Sequence, residues 1–180
     1  LNAAGRLDDI SIGIAMLLTD DESLAQEIAT ELDSLNRDRR LIEASMKDEA
    51  EQELESVLAN TDDSGERNTL ATGLSLFSEN WHQGVVGILA SRLKERFNRP
   101  VICFAPASDD ANNTMLKGSA RSIRGFQIRD ALEALSTQHP GLIDKFGGHA
   151  MAAGLSIHRA KFEEFSQRFD EQAKRLLSAD

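Results

Sequence analysis

A chain of 180 residues with 41% hydrophobic content is long enough for one ordinary domain plus an appendage, and too apolar for wholesale disorder. One cysteine excludes an internal disulfide and a multi-cysteine zinc site, and no apolar run approaches the roughly 18 residues of a membrane span. The formal net charge is −10, which as an average argues against an anionic partner.

That average hides a partition. Residues 1–64 carry 17 acidic and 5 basic side chains, a net of −12, whereas residues 65–180 have a net of +2. The acidity belongs to one segment, and the rest is free to meet anions. Nothing reads as a signal peptide, and the single thiol suits a reducing, cytoplasmic setting. The opening Leu1-Asn2-Ala3-Ala4-Gly5-Arg6 lacks an initiator Met and reads as the start of a piece of a larger protein.

In chain order, no Gly or Pro interrupts the stretch between Gly13 and Gly65. Leu24, Ile28, Leu32, Leu35, Ile42, Met46, Leu54 and Leu58 recur there at helical spacing, and Thr19-Asp20-Asp21-Glu22 has a capping-box pattern. A helix from about Glu22 to Leu58 would be roughly 55 Å long, too long for a small core. It reads as a connector between two bodies, with a coiled-coil dimer as the competing reading. Its acidic residues read as a solvated face. Asn60–Asn68 is polar and reads as a linker.

Beyond it, Thr69–Phe77 is expected as a strand and Gly84–Phe97 as a helix, broken by Asn98-Arg99-Pro100. Val101–Ala105 is wholly apolar, the pattern of a buried central strand. Pro106–Thr114 reads as a loop, Met115–Ile123 as a strand, Ile128–Leu135 as a helix and Leu155–Ile157 as a short strand. Ala160–Leu177 reads as an amphipathic helix with Phe162, Phe165, Phe169 and Leu176 inward. This alternation predicts an α/β fold: a long N-terminal connector helix, then a layered domain with a mixed sheet flanked by helices.

Three segments carry candidate chemistry. In Phe146–Gly154, Gly147 and Gly148 allow a sharp turn, and the small-residue run from His149 is a candidate helix start. Its free N–H groups would favour a phosphate, with an ordinary turn as the alternative. In Lys117–Arg124, the alternating Lys117, Ser119 and Arg121 share one face of a strand, Gly118 permits close approach, and Arg124 follows. A hydroxyl between two cations suits a phosphodiester; a solvated edge strand is the plainer reading. In Asn80–Gly87, Trp81 is a candidate base-stacking residue or a buried one, and His82, Gln83 and Gly84 lie at a strand-to-helix junction. Cys103 sits in an apolar run and reads as core. P-loop, dinucleotide-fingerprint, nucleophile-elbow and zincin patterns are all lacking, so phosphate-gripping features stand without evident hydrolytic machinery.

Taken in order, NWHQGVVGIL (residues 80–89), KGSARS (117–122) and FGGHAMAAG (146–154) resemble the DHH-associated domain of the RecJ family. These are bacterial single-strand-specific 5′→3′ DNA exonucleases of the DHH phosphoesterase superfamily. LNAAGRLD (1–8) resembles the segment that closes that family's catalytic domain. The resemblance implies a division into residues 1–20, the end of a DHH catalytic domain, 21–60, the connector helix, and 66–180, the DHH-associated substrate-binding domain. It implies that Arg6, Ser119 and Arg121 hold the 5′-terminal phosphate or adjacent backbone. Gly147, Gly148 and His149 would contact the scissile region, His149 in a supporting catalytic role, and His82, Gln83 and Gly84 would line the cleft. It further implies a hydrolase acting on single-stranded DNA in repair and recombination. Its two Mn²⁺ or Mg²⁺ ions would be held by ligands outside this chain, which alone would be inactive and would bind no metal. No membrane is implied, and protein partners are left open. Ala120 departs from the glycine common in the family, which would tighten the cleft. A DHH-type phosphodiesterase acting on short oligonucleotides or cyclic dinucleotides, and a non-catalytic interaction module, are the alternatives.

Overall fold

The computed structural model describes residues 2–59, 69–110 and 112–178. The linker expected at residues 60–68 lies outside the described residues. The chain divides into two units, Leu1–Met46 and Lys47–Asp180.

In the first unit, α1 (Ala4–Leu7) and α2 (Ser11–Leu18) precede the start of α3 (Glu22–Ala59). Neither short helix is expected from the sequence; α2 is apolar almost throughout, so no periodicity marks it. The start of α3 falls where anticipated, but its cap is Asp21, whose carboxylate accepts from the N–H groups of Ser23 (2.9 Å) and Leu24 (3.2 Å). Ile28 and Leu32 bury against Ala4, with Ile12, Met16 and Leu35 packed around them.

Helix α3 has 38 residues, and the division between units falls within it. In the second unit its Ala50 and Leu54 are buried. The acidic residues of this part do more than face solvent. Glu49 accepts from the Trp81 indole N–H (3.0 Å), and Arg96 pairs with both Glu51 and Glu55. Burial pushes the Glu51 carboxyl up, but hydrogen bonds from Arg96 and Lys47 outweigh it and leave it below the usual range.

The second unit is built on a five-stranded sheet of order β1-β2-β3-β5-β4. β1 (Leu74–Phe77) runs parallel to β2 (Val101–Pro106), joined through α4 (Val86–Phe97). β3 (Met115–Arg121), β5 (Ala152–His158) and β4 (Lys145–Gly148) follow antiparallel. β1 is shorter than the expected strand, α4 starts two residues later, and β5 is longer. Lys145–Gly148 is a strand, and no helix begins at His149. The turn is closed by the His149 N–H donating to Ala152 O (2.8 Å), with Gly148 at φ +147°. A Cβ there would lie 2.4 Å from the Ala152 carbonyl oxygen, so only glycine fits.

The sheet has two unlike faces. On one, Ile102, Phe104, Leu116, Ala120, Ala153, Leu155 and Ile157 pack against α5 (Ile128–Gln138) and α6 (Phe162–Leu177). Phe104 meets Phe165 edge-on at 5.4 Å, and Phe165 stacks on Phe169 at 6.0 Å. Phe165 and Phe169 point inward as expected; Phe162 packs partly buried, and Leu176 is exposed while Leu177 and Ala173 take the inward positions. On the other face α4 lies over β2 and β3, burying Val86, Leu89 and Leu93. Cys103, fully buried, has its thiol pushed up by burial and is inert.

Candidate functional site

The site grows from the alternation of β3. Leu116, Gly118 and Ala120 turn to the α5/α6 core, so Lys117, Ser119 and Arg121 share the opposite face. Register carries that face across the sheet. Ser119 stands opposite Gly154, and Gly154 opposite Gly147, forming one row over three strands. Lys117 stands opposite Ser156, and Ser156 opposite Lys145, forming a second row.

The Arg121 guanidinium is held in place by the fold. It donates to Ser119 Oγ (2.9 Å) and Ala120 O (2.8 Å) from Nη1, and to Ser91 Oγ (3.1 Å) from Nε. Helix α4 reaches this pair at Gly87, where a Cβ would lie 2.9 Å from Ser119 Oγ and 3.0 Å from Arg121 Nη2. The first turn of α4, with the positive end of its dipole, therefore sits directly against a serine hydroxyl and an arginine. An anion is the ligand such an arrangement favours.

The glycines sort into two kinds. A Cβ on Gly118 would press within 2.5 Å of the Phe104 ring and 2.7 Å of Leu155, so this glycine serves the core and not the close approach of a ligand. Gly148 serves the turn. At Gly147, by contrast, a Cβ would meet nothing within 4 Å, and at Gly154 only Gly118 O at 3.9 Å. Neither has a positive φ. The fold tolerates side chains at both positions, yet both are bare, which leaves a flat floor beside Ser119.

The junction before α4 is tied by backbone bonds, with the Val85 and Val86 N–H groups donating to His82 O (2.9 and 3.2 Å). His82 Nδ1 accepts from the Gly84 N–H (3.1 Å), so in the neutral ring Nε2 carries the proton. Gln83 donates to Ser108 Oγ and so braces the β2–β3 loop. Trp81 is buried, 4% exposed, and is a core residue; its face is not offered to a base. His149, exposed at the β4–β5 tip, is anchored through neighbours: Ser122 and Ile128 N–H groups donate to Met151 O (3.0 Å) and Ala150 O (2.9 Å). Exposed Arg124 lies three residues beyond the end of β3, in the turn that precedes α5. Arg6 belongs to the first unit, in the last turn of α1. Ala120 is fully buried in the α5/α6 core, so its methyl does not tighten the cleft face.

The structure thus brings Ser119, Arg121, Gly147 and Lys117 onto one surface, and separates Trp81, Gly118 and Gly148 from it as structural residues. Two residues of this surface, Lys145 and Ser156, escaped sequence reasoning. Lys145 keeps the alternation with Gly147, but only the register places it beside Lys117. Among the described residues no group of three or more His, Cys, Asp or Glu is placed to hold a metal ion.

The second unit is an α/β module whose sheet carries one glycine-floored, cation-edged face. A family model for the DHHA1 domain matches residues 69–175, and the chain belongs to that family. It is similar to the single-stranded-DNA-specific exonuclease RecJ of Dickeya dadantii (strain 3937), with 55% identity over 179 residues, 99% of this chain and 29% of that protein. It is also similar to crystal structures of RecJ from Thermus thermophilus in complex with Mg²⁺ and with Mn²⁺. Both give 32% identity and a TM-score of 0.74 over 97% of this chain, and cover 24% and 23% of those chains. The chain therefore spans less than a third of the length of these relatives. Among the described residues no helix is long and apolar enough to cross a membrane.

Proposed function

We propose that this chain is the substrate-gripping part of a cytoplasmic, metal-dependent exonuclease that degrades single-stranded DNA from its 5′ end in repair and recombination. Residues 1–20 close the catalytic domain of the parent, 21–60 connect, and 66–180 form the DHH-associated domain. The observation that carries this reading is the convergence of Ser119, Arg121 and the first turn of α4 beside the bare glycines Gly147 and Gly154.

On this reading the Ser119 hydroxyl and the Arg121 guanidinium hold the 5′ phosphate of the strand, helped by Arg124. The glycine floor lets the sugar–phosphate chain lie against the sheet. His82, Gln83 and Gly84 line the cleft, and His149 supports the reacting end. In the parent, Mn²⁺ or Mg²⁺ would activate water and stabilise the departing oxygen. The donors around Ser119 and Arg121 are cations and hydroxyls, which do not fit a divalent ion, so on this reading the metal ligands belong to another part of the parent. The chain alone is inactive; product in a Mn²⁺-dependent nuclease assay on it would contradict this.

The direct test is fluorescence anisotropy of a 5′-phosphorylated oligothymidylate at low salt. Arg121→Ala is expected to weaken binding by about tenfold or more, the scale of one charge-assisted phosphate contact. Equal affinity of the variant and the parent sequence would favour a non-catalytic interaction module instead.

A further inference from the structure

We infer a second phosphate subsite, formed by Lys117, Ser156 and Lys145, which holds the phosphate one nucleotide beyond that at Ser119 and Arg121. It rests on the proposed function above and adds residues that the function does not otherwise use. The three side chains stand in one register row across β3, β5 and β4, on the same face as the Ser119–Gly154–Gly147 row. Neighbouring strands are about 4.8 Å apart, so the two ammonium stems flank the serine from roughly that distance on either side. The rows are two residues apart along the strands, about 6.8 Å, the span of one extended nucleotide.

Space and charge agree with an anion on the glycine side of the row, where the lining carries two lysines and, among the described residues, no carboxylate. A groove of about 330 Å³ lies over the row, lined by Lys117, Lys145, Gly147 and Gly154 among others. A second groove of about 290 Å³ adjoins it, and Lys117, Lys145 and Ser156 line both. Lys145 is exposed. Lys117 faces Asp109 at 3.9 Å, with both side chains well exposed. That is a weak, screened pairing which a phosphate can displace. Asp109, Asp110 and Asp144 all line the second groove. They bound the subsite on that side and steer the strand toward the glycine floor. The path is then set: the 5′ phosphate at Arg121 and Ser119, the next at Lys117 and Lys145, along the line of β3.

The subsite is tested on the full chain by NMR titration with 5′-phosphorylated thymidine mononucleotide and dinucleotide. Lys145→Ala, at an exposed position, is expected to lower the ratio of dinucleotide to mononucleotide affinity about tenfold. It should also reduce the salt slope of dinucleotide binding by about 0.7, one phosphate contact on a single strand. Lys145→Arg should restore both. Arg121→Ala should lower both affinities together. An unchanged ratio in Lys145→Ala overturns the subsite while leaving the first site standing. If Arg121→Ala has no effect on either ligand, the proposed function fails and the subsite with it.

Discussion

The two faces of the sheet are made from the same strands by alternate residues, and they are chemically opposite. Along β3, Leu116, Gly118 and Ala120 enter an apolar core with Phe104, Phe165 and Phe169, while Lys117, Ser119 and Arg121 face outward. The packed face tolerates no added atom, as the 2.5 Å approach of a Gly118 Cβ to Phe104 illustrates. The other face is roomy where packing does not require room, at Gly147 and Gly154. Packing thus takes one side of every strand, and on the other side α4 covers β2 and part of β3 and leaves the surface over β5 and β4 open.

Substitutions can break or sharpen that contrast. The largest effect belongs to the packed face. Phe165→Ala, at a fully buried ring with two aromatic neighbours, should cost about 3–5 kcal/mol in urea unfolding while the folded fraction still binds oligothymidylate normally. Gly118→Ala comes next: overpacking against Phe104 and Leu155 should cost about 1–3 kcal/mol, again with binding by the folded protein preserved. Gly147→Ala is the counterpart on the open face. Its stability should stay within about 0.5 kcal/mol of the parent sequence, with oligothymidylate affinity reduced several-fold. A destabilised Gly147→Ala with normal binding would reverse the assignment of the two faces.

The sequence showed some of this and hid the rest for physical reasons. Val101–Ala105 read correctly as a buried strand because it is apolar without interruption, and α3 read correctly because its period is long and unbroken by Gly or Pro. The alternation of Lys117, Ser119 and Arg121 was enough to place them on one face. At residues 146–154 the sequence leaves a helix start and an ordinary turn both open, since a run of Gly and Ala has no hydrophobic period; the turn between β4 and β5, which depends on the Gly148 φ, is the one that forms. Trp81 offered two readings, and its burial rests on Glu49, 32 residues away. Lys145 gained its meaning only from register with Ser156 and Lys117.

The central claim is that the face carrying Ser119 and Arg121 is where single-stranded DNA lies. Backbone amide shifts of the full chain on titration with a 5′-phosphorylated hexathymidylate test it most directly. Shifts gathered at residues 82–88, 117–121, 145–149 and 152–156, and lost in Arg121→Ala, are the expected result. Shifts confined to α5, α6 or the exposed surface of α3 would contradict it.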